Sequence, residues 1–252
     1  MTRTLHTPRG TIEILPDAAA VASVCAARVV AAAAHAVERG QPRFVLALAG
    51  GSTPKAAYRL LATRDRDAVD WSRVVIVFGD ERCVPPDHPD SNYRMAKEAL
   101  LDHVPISLDN IYRIEAELPP AEAAARYDLA LRRLLGPAPI LDLCLLGMGA
   151  DGHTASLFPG SSALAERRPL CVATHAPSLG VDRITLTWPV LSSSRAVVVS
   201  VAGAEKAAAL ATALFGAPGS VPIQLVQAPP DRMTWLVDEA AAARLPSPEE
   251  LC

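Results

Sequence analysis

Four short clusters hold most of the chemistry that this sequence can offer. The first, Gly50-Gly51-Ser52-Thr53-Pro54, joins an apolar run to a helical pattern over Lys55 to Ala62. Ser or Thr suits a helix N-cap, Pro suits the first helical position, and paired glycines let a ligand approach exposed backbone N–H groups. The segment therefore reads either as an ordinary capped helix or as an anion seat built on Gly51, Ser52 and Thr53. It is not a P-loop, because the GxxxxGK[ST] spacing is absent, nor a GxSxG nucleophile elbow, because Pro54 stands where the last Gly should be. The second cluster, Asp80-Glu81-Arg82, sets two carboxylates and a cation against a strand end. They could hold substrate hydroxyls and a developing anion, or form a solvated loop with an internal salt bridge. Asp87 and His88 nearby have no third and fourth ligand at metal-binding spacing, so no metal is expected.

The third cluster, Gly147-Met148-Gly149-Ala150-Asp151-Gly152-His153-Thr154, matches GxGxxG after an apolar run. A dinucleotide reading fails on charge: Asp151 would face the pyrophosphate, and the next acid, Glu166, does not end an apolar strand as a ribose-binding acid should. What remains is a histidine on a tight glycine turn, either structural or placed to act as a base, since imidazole ordinarily titrates near neutrality. The fourth group is Arg183-Ile184-Thr185-Leu186-Thr187-Trp188, whose alternation puts Arg183, Thr185 and Thr187 on one face. Beyond it, Lys206 stands near the start of a helical pattern, where a long cation could reach a phosphate.

These clusters need strands to position them. Apolar runs at Phe44 to Ala49, Val74 to Phe78, Leu141 to Leu146 and Ala196 to Val201 alternate with Ala/Leu-rich helical stretches. Near-continuous apolar strands belong in sheets covered on both faces, so the chain is expected to be an α/β layered protein. Each run ends in Gly and polar residues, and in open α/β sheets ligands bind beyond the carboxyl ends of the strands, so the clusters are expected to converge on one pocket. No repeat or low-complexity linker divides the sequence, and a single domain over residues 1–252 is expected.

Composition narrows the function classes. Half of the 252 residues are hydrophobic, 20% are charged and the mean hydropathy is +0.22, which excludes intrinsic disorder. Lys+Arg 24 against Asp+Glu 27 leaves a formal charge of −3 with no basic block, so no nucleic-acid partner is expected. The apolar segment Ala18 to Val37 contains Arg28 and His35 and favours Ala over Leu or Ile, which reads as a packed helix rather than a membrane span or a targeting segment. Five cysteines, Cys25, Cys83, Cys144, Cys171 and Cys252, show no CxxC spacing, and their odd count suits a reducing, cytoplasmic compartment.

Taken together, these residues resemble the 6-phosphogluconolactonase family. The likeness runs through Leu48 to Pro54, Gly79-Asp80-Glu81-Arg82-Cys83-Val84-Pro85, Ser91-Asn92, Leu146 to Gly160 and Arg183-Ile184-Thr185. It implies a Rossmann-like parallel sheet flanked by helices, shared with glucosamine-6-phosphate deaminases, and hydrolysis of 6-phospho-D-glucono-1,5-lactone in the pentose phosphate pathway. Deaminases of this kind look like GHIAFNEPG, with a catalytic Glu where this chain has Phe158, and an apolar ring cannot perform that carboxylate's proton transfers. For that reaction Gly51, Ser52, Thr53, Arg183 and Lys206 are expected to hold the phosphate and His153 to be the base for water, while Arg82 is expected either to stabilise the oxyanion or, by fold resemblance alone, to bind the phosphate. Asp80 and Asp151 would orient sugar hydroxyls or the imidazole, with no metal or organic cofactor. Deamination and a non-catalytic sugar-phosphate sensor are the alternatives. In the family a Pro-Pro or similar pair usually precedes the arginine; here Val181-Asp182 does, and Asp182 could turn toward Arg183 and compete with substrate.

Overall fold

The computed structural model describes residues 2–246; Cys252 and the segment from position 247 onward lie outside the described residues. In chain order the elements are β1 (Arg3–Thr7), β2 (Gly10–Leu15), α1 (Ala18–Glu38), β3 (Phe44–Leu48), α2 (Ser52–Ala62), β4 (Val74–Phe78) and β5 (Asp80–Arg82). Then follow α3 (Asn92–Ala99), β6 (Ile111–Tyr112), α4 (Pro120–Leu135), β7 (Leu143–Gly147), β8 (Cys171–Ala176) and β9 (Val181–Leu186). The last are α5 (Trp188–Ser192), β10 (Val197–Val201), α6 (Ala207–Phe215) and β11 (Met233–Asp238).

Eight strands form the main sheet in the order β1-β2-β11-β10-β7-β3-β4-β6, parallel throughout except that β1 pairs with β2 antiparallel. All five residues of β3, of β4 and of β10 are buried, as the apolar runs require for a sheet covered on both faces. From β3 the chain runs outward through β4 and β6, then returns to lay β7 on the other side of β3. This reversal makes β3 and β7 the switch point, where a crevice opens beyond the strand ends. Helix α1 is long and apolar enough to span a membrane, yet Val21, Ala22, Cys25, Ala26 and Val29 form a buried stripe packed toward α2, β10 and β11. That is the packed helix expected from its alanine content.

The expected parallel sheet is present, and a second sheet stands beside it. Arg82 and Arg183 lie on a second, three-stranded antiparallel sheet, β5-β9-β8. The strand that carries Arg183 runs from Val181 to Leu186, and Trp188 begins α5 instead of ending that strand. The two sheets meet at Gly79, whose N–H donates to Leu48 O at 2.9 Å and whose carbonyl accepts from Leu186 N at 2.8 Å.

Two buried tyrosines finish the strands that lead into the crevice. The Tyr58 hydroxyl accepts from Ala49 N at 2.9 Å and donates to Ala49 O at 2.8 Å; the Tyr127 hydroxyl does the same for Phe78, at 2.7 and 3.1 Å. Each phenol thus satisfies both backbone groups of one residue where the chain leaves the ladder. Replacing Tyr58 with Phe leaves the Ala49 N–H buried and unpaired. The expected cost is about 1–3 kcal/mol of unfolding free energy, read from urea denaturation.

Candidate active site

A cleft of about 400 Å³ opens at the switch point, large enough for a phosphorylated sugar. All four clusters reach it, for Gly51, Ser52, Thr53, Asp80, Arg82, His153, Arg183 and Lys206 line its wall. Asp151 is the one expected site residue not on the wall; it stands behind His153.

The helix that follows Gly50-Gly51 starts earlier than its sequence suggests. Gly51, with φ 104°, is the N-cap, Lys55 N closes the first turn on Gly51 O, and no side chain caps the end. Ser52 and Thr53 are therefore the first two helical residues, not a cap ahead of Lys55. Their N–H groups are among those a helix start leaves without an intrahelical partner, and Pro54, third in the helix, has no N–H to satisfy. The positive end of α2 faces the cleft. Gly50 is required for a different reason: a Cβ there would lie 2.2 Å from Oδ1 of Asn92.

Asn92 and the acid pair bind the second cluster to the rest. Asp80, only 8% exposed, accepts from Ser156 Oγ at 2.6 Å and from Asn92 Nδ2 at 3.2 Å. Of the two roles expected for it, orienting sugar hydroxyls or the imidazole, the second has no counterpart, since it makes no hydrogen bond to His153; its carboxylate joins the strand-end loops. Glu81 turns inward beneath the start of α3, accepting from Arg82 N, Asn92 N and Tyr93 N at 2.7–2.8 Å and from Ser91 Oγ at 3.0 Å. Burial pushes its carboxyl above the usual range, against the downward pull of the backbone donors.

His153 is held with one nitrogen occupied. Its Nδ1 lies 2.5 Å from Asp151 Oδ1, which also accepts from the His153 backbone N–H at 3.1 Å. Burial would raise the Asp151 carboxyl, but the hydrogen bonds and charge of His153 outweigh it and leave Asp151 below the usual carboxylate range. With Asp151 ionised, Nδ1 is the donor to it, and Nε2 has no hydrogen-bond partner among the described residues. Gly149 makes room, since a Cβ there would come within 2.1 Å of Nδ1. No helix follows Gly147 to Gly152; the chain enters a turn, so the dinucleotide motif has no structural counterpart.

The cations converge from both sheets. In the β5–β9 register Arg82 stands directly opposite Arg183, an unfavourable like-charge pair in an unliganded protein. Burial and then the Arg82 charge pull Arg183 below its ordinary range. Asp182 is no competitor: its carboxylate pairs with His175 Nδ1 at 2.8 Å, while Arg183 bonds only its backbone carbonyl, at 3.0 Å. Among the described residues, Arg82, Arg183 and Lys206 make no salt bridge. Sequence reasoning passed over Asn92, Ser156, Glu205 and Leu179 as cleft residues. Asn92, Ser156 and Glu205 stood inside quoted motifs or strand-end clusters without an assigned role; Leu179 gave no signal.

The pattern of the family described as Glucosamine-6-phosphate isomerases/6-phosphogluconolactonase matches residues 16–235. This chain belongs to that family. A 6-phosphogluconolactonase of Nostoc sp. is 39% identical over 242 residues, covering 93% of this chain and 98% of the relative. One from Synechocystis sp. is 41% identical over 215 residues, covering 82% and 86%. Among solved structures, the 6-phosphogluconolactonase from Trypanosoma cruzi superposes with a TM-score of 0.83 at 30% identity, over 96% of this chain and 99% of the other. A monomeric glucosamine-6-phosphate deaminase shares the fold, with a TM-score of 0.78 at 20% identity over 92% and 99%.

Glu81 anchors the family's second motif by buried hydrogen bonds, and its loss should be felt in the whole protein. Glu81→Gln keeps the shape but turns an amide NH₂ toward donors. Unfolding free energy is expected to fall by about 1–3 kcal/mol in urea titration, and an unchanged midpoint would show that those donors need no carboxylate.

Proposed function

We propose that this chain hydrolyses 6-phospho-D-glucono-1,5-lactone to 6-phospho-D-gluconate, as one catalytic domain working in the oxidative branch of the pentose phosphate pathway. The observation that carries the reading is His153, fixed through Nδ1 by Asp151 and lining the cleft with Nε2 unengaged. A water molecule held between Nε2 and the lactone carbonyl attacks C1 as Nε2 takes its proton. The oxyanion forms beside Arg82, whose guanidinium also donates to Asp90 O and is held in place by it. When the tetrahedral intermediate collapses, the C1–O5 bond breaks and Nε2 returns the proton to the departing ring oxygen. Asp151 stays ionised and supports the transient imidazolium.

The 6-phosphate is bound by the N–H groups at the start of α2, by the Ser52 and Thr53 hydroxyls, and by Arg183 and Lys206. The lactone carbonyl is electrophilic enough for a general base and an oxyanion partner, so the mechanism calls on no metal or organic cofactor. The unpaired Cys25, Cys83, Cys144 and Cys171 suit a cytoplasmic setting. Against deamination stands Phe158, an apolar ring where that reaction needs a carboxylate.

The deciding experiment mixes purified protein with freshly generated lactone, follows 6-phosphogluconate through a coupled NADP-dependent dehydrogenase above spontaneous hydrolysis, and assays glucosamine 6-phosphate deamination in parallel. Accelerated lactone loss without ammonia is expected. Ammonia release alone would replace the reading with deamination, and inactivity in both assays would favour a sensor. In the lactonase assay His153→Asn is expected to lower kcat by roughly 10²–10⁴-fold with little change in KM. Lys206→Ala is expected chiefly to raise KM, because its ammonium holds the phosphate equally in ground and transition states; a pure kcat loss would contradict that assignment.

A further inference from the structure

A single hydrogen bond does not fix an imidazole. With Nδ1 tied to Asp151, the His153 ring could still rock about that bond, and Nε2 would sweep across the cleft. The structure supplies a second restraint. The Phe158 ring lies against the imidazole, with centroids 4.3 Å apart and planes inclined by 31°. Phe158 is 4% exposed, so its own ring is packed and cannot follow the motion. On another side, the Gly149 backbone comes so close to Nδ1 and Cε1 that a methyl group would overlap them.

The backbone that delivers Phe158 is anchored to both sheets. Thr154 Oγ1 donates to Gly147 O at 2.8 Å, at the end of β7, while Ser156 N donates to Thr185 Oγ1 at 3.2 Å, on β9. Between them Ala155 holds φ 46°, a left-handed conformation uncommon for a residue with a Cβ. The loop thus keeps a conformation it would not choose on its own, and the consequence is that Phe158 reaches the imidazole face. An aromatic ring there also presents its negative π-face to the imidazolium formed when water gives up its proton, and it keeps bulk water off that face.

We propose that Phe158 is a positioning residue for lactone hydrolysis: stacked on His153, it holds the imidazole in the plane that points Nε2 into the cleft. The inference rests on the lactonase reading above for its kinetic arm, but not for its spectroscopic one.

The test uses the full chain as wild type, Phe158→Leu, His153→Asn and the double variant, with Phe158→Met as the replacement if the leucine variant does not fold. In lactone hydrolysis Phe158→Leu is expected to lower kcat by roughly 10–100-fold, the scale of a misplaced catalytic group, with KM within about twofold of wild type. Phe158→Tyr, which keeps the ring, is expected to restore most of the loss. Added to His153→Asn, the leucine should cost almost nothing more, because Phe158 acts through the imidazole; multiplicative losses would overturn the proposal. So would a folded leucine variant with wild-type kcat, or one that changes KM alone. ¹³C relaxation at the His153 ring carbons reads the same restraint without turnover. A rigid ring is expected in wild type and larger-amplitude ring motion in Phe158→Leu, and identical order parameters would overturn the proposal even if the wild type proved inactive on the lactone.

Discussion

The bend at Gly79, where the parallel sheet hands over to the antiparallel one, depends on two adjacent acids that face inward. Asp80 ties β5 to the Ser156 loop and to Asn92, and Glu81 gathers the backbone donors at the start of α3. Isolated buried carboxylates are unfavourable, and these are held by donors, four on Glu81 and two on Asp80. From this joint the site is assembled outward: Asn92 closes on Gly50 beside the start of α2, Ser156 leads to Phe158, and Arg82 emerges as the next residue of the same strand.

Much of this was legible from residue types. The apolar runs at Phe44 to Ala49 and Val74 to Phe78 became β3 and β4 almost to the residue, and the glycine-rich clusters after them met in one cleft because parallel strands all end on one side. What stayed hidden was nonlocal. A three-residue strand made of Asp80, Glu81 and Arg82 has no apolar signature, so the small sheet could not be seen before its partner β9 was placed. Asp182 sits next to Arg183 in sequence, but pleating and the hairpin register give it to His175 instead. The start of α2 was misread because Ser and Thr are good caps in general, whereas here Gly51 at positive φ takes that position.

The distribution of charge explains how a protein of net charge −3 can take a phosphorylated substrate. Among the described residues many acids are paired at the surface or folded into the joint, while Arg82, Arg183 and Lys206 line the cleft together with a helix N-terminus. The local field, not the overall balance, is what an entering dianion meets. Glu205 on the same wall adds one opposing charge, suited to a sugar hydroxyl more than to a phosphate oxygen.

The strand order β10-β7-β3 also makes the cleft a ruler. Adjacent strands sit about 4.8 Å apart, and the three strands deliver in turn Lys206, His153 and the Gly51–Thr53 seat. The points at which these residues leave the sheet are thus fixed by backbone spacing that no side-chain rotamer can alter, and shifting one of them relative to the others would require moving a strand.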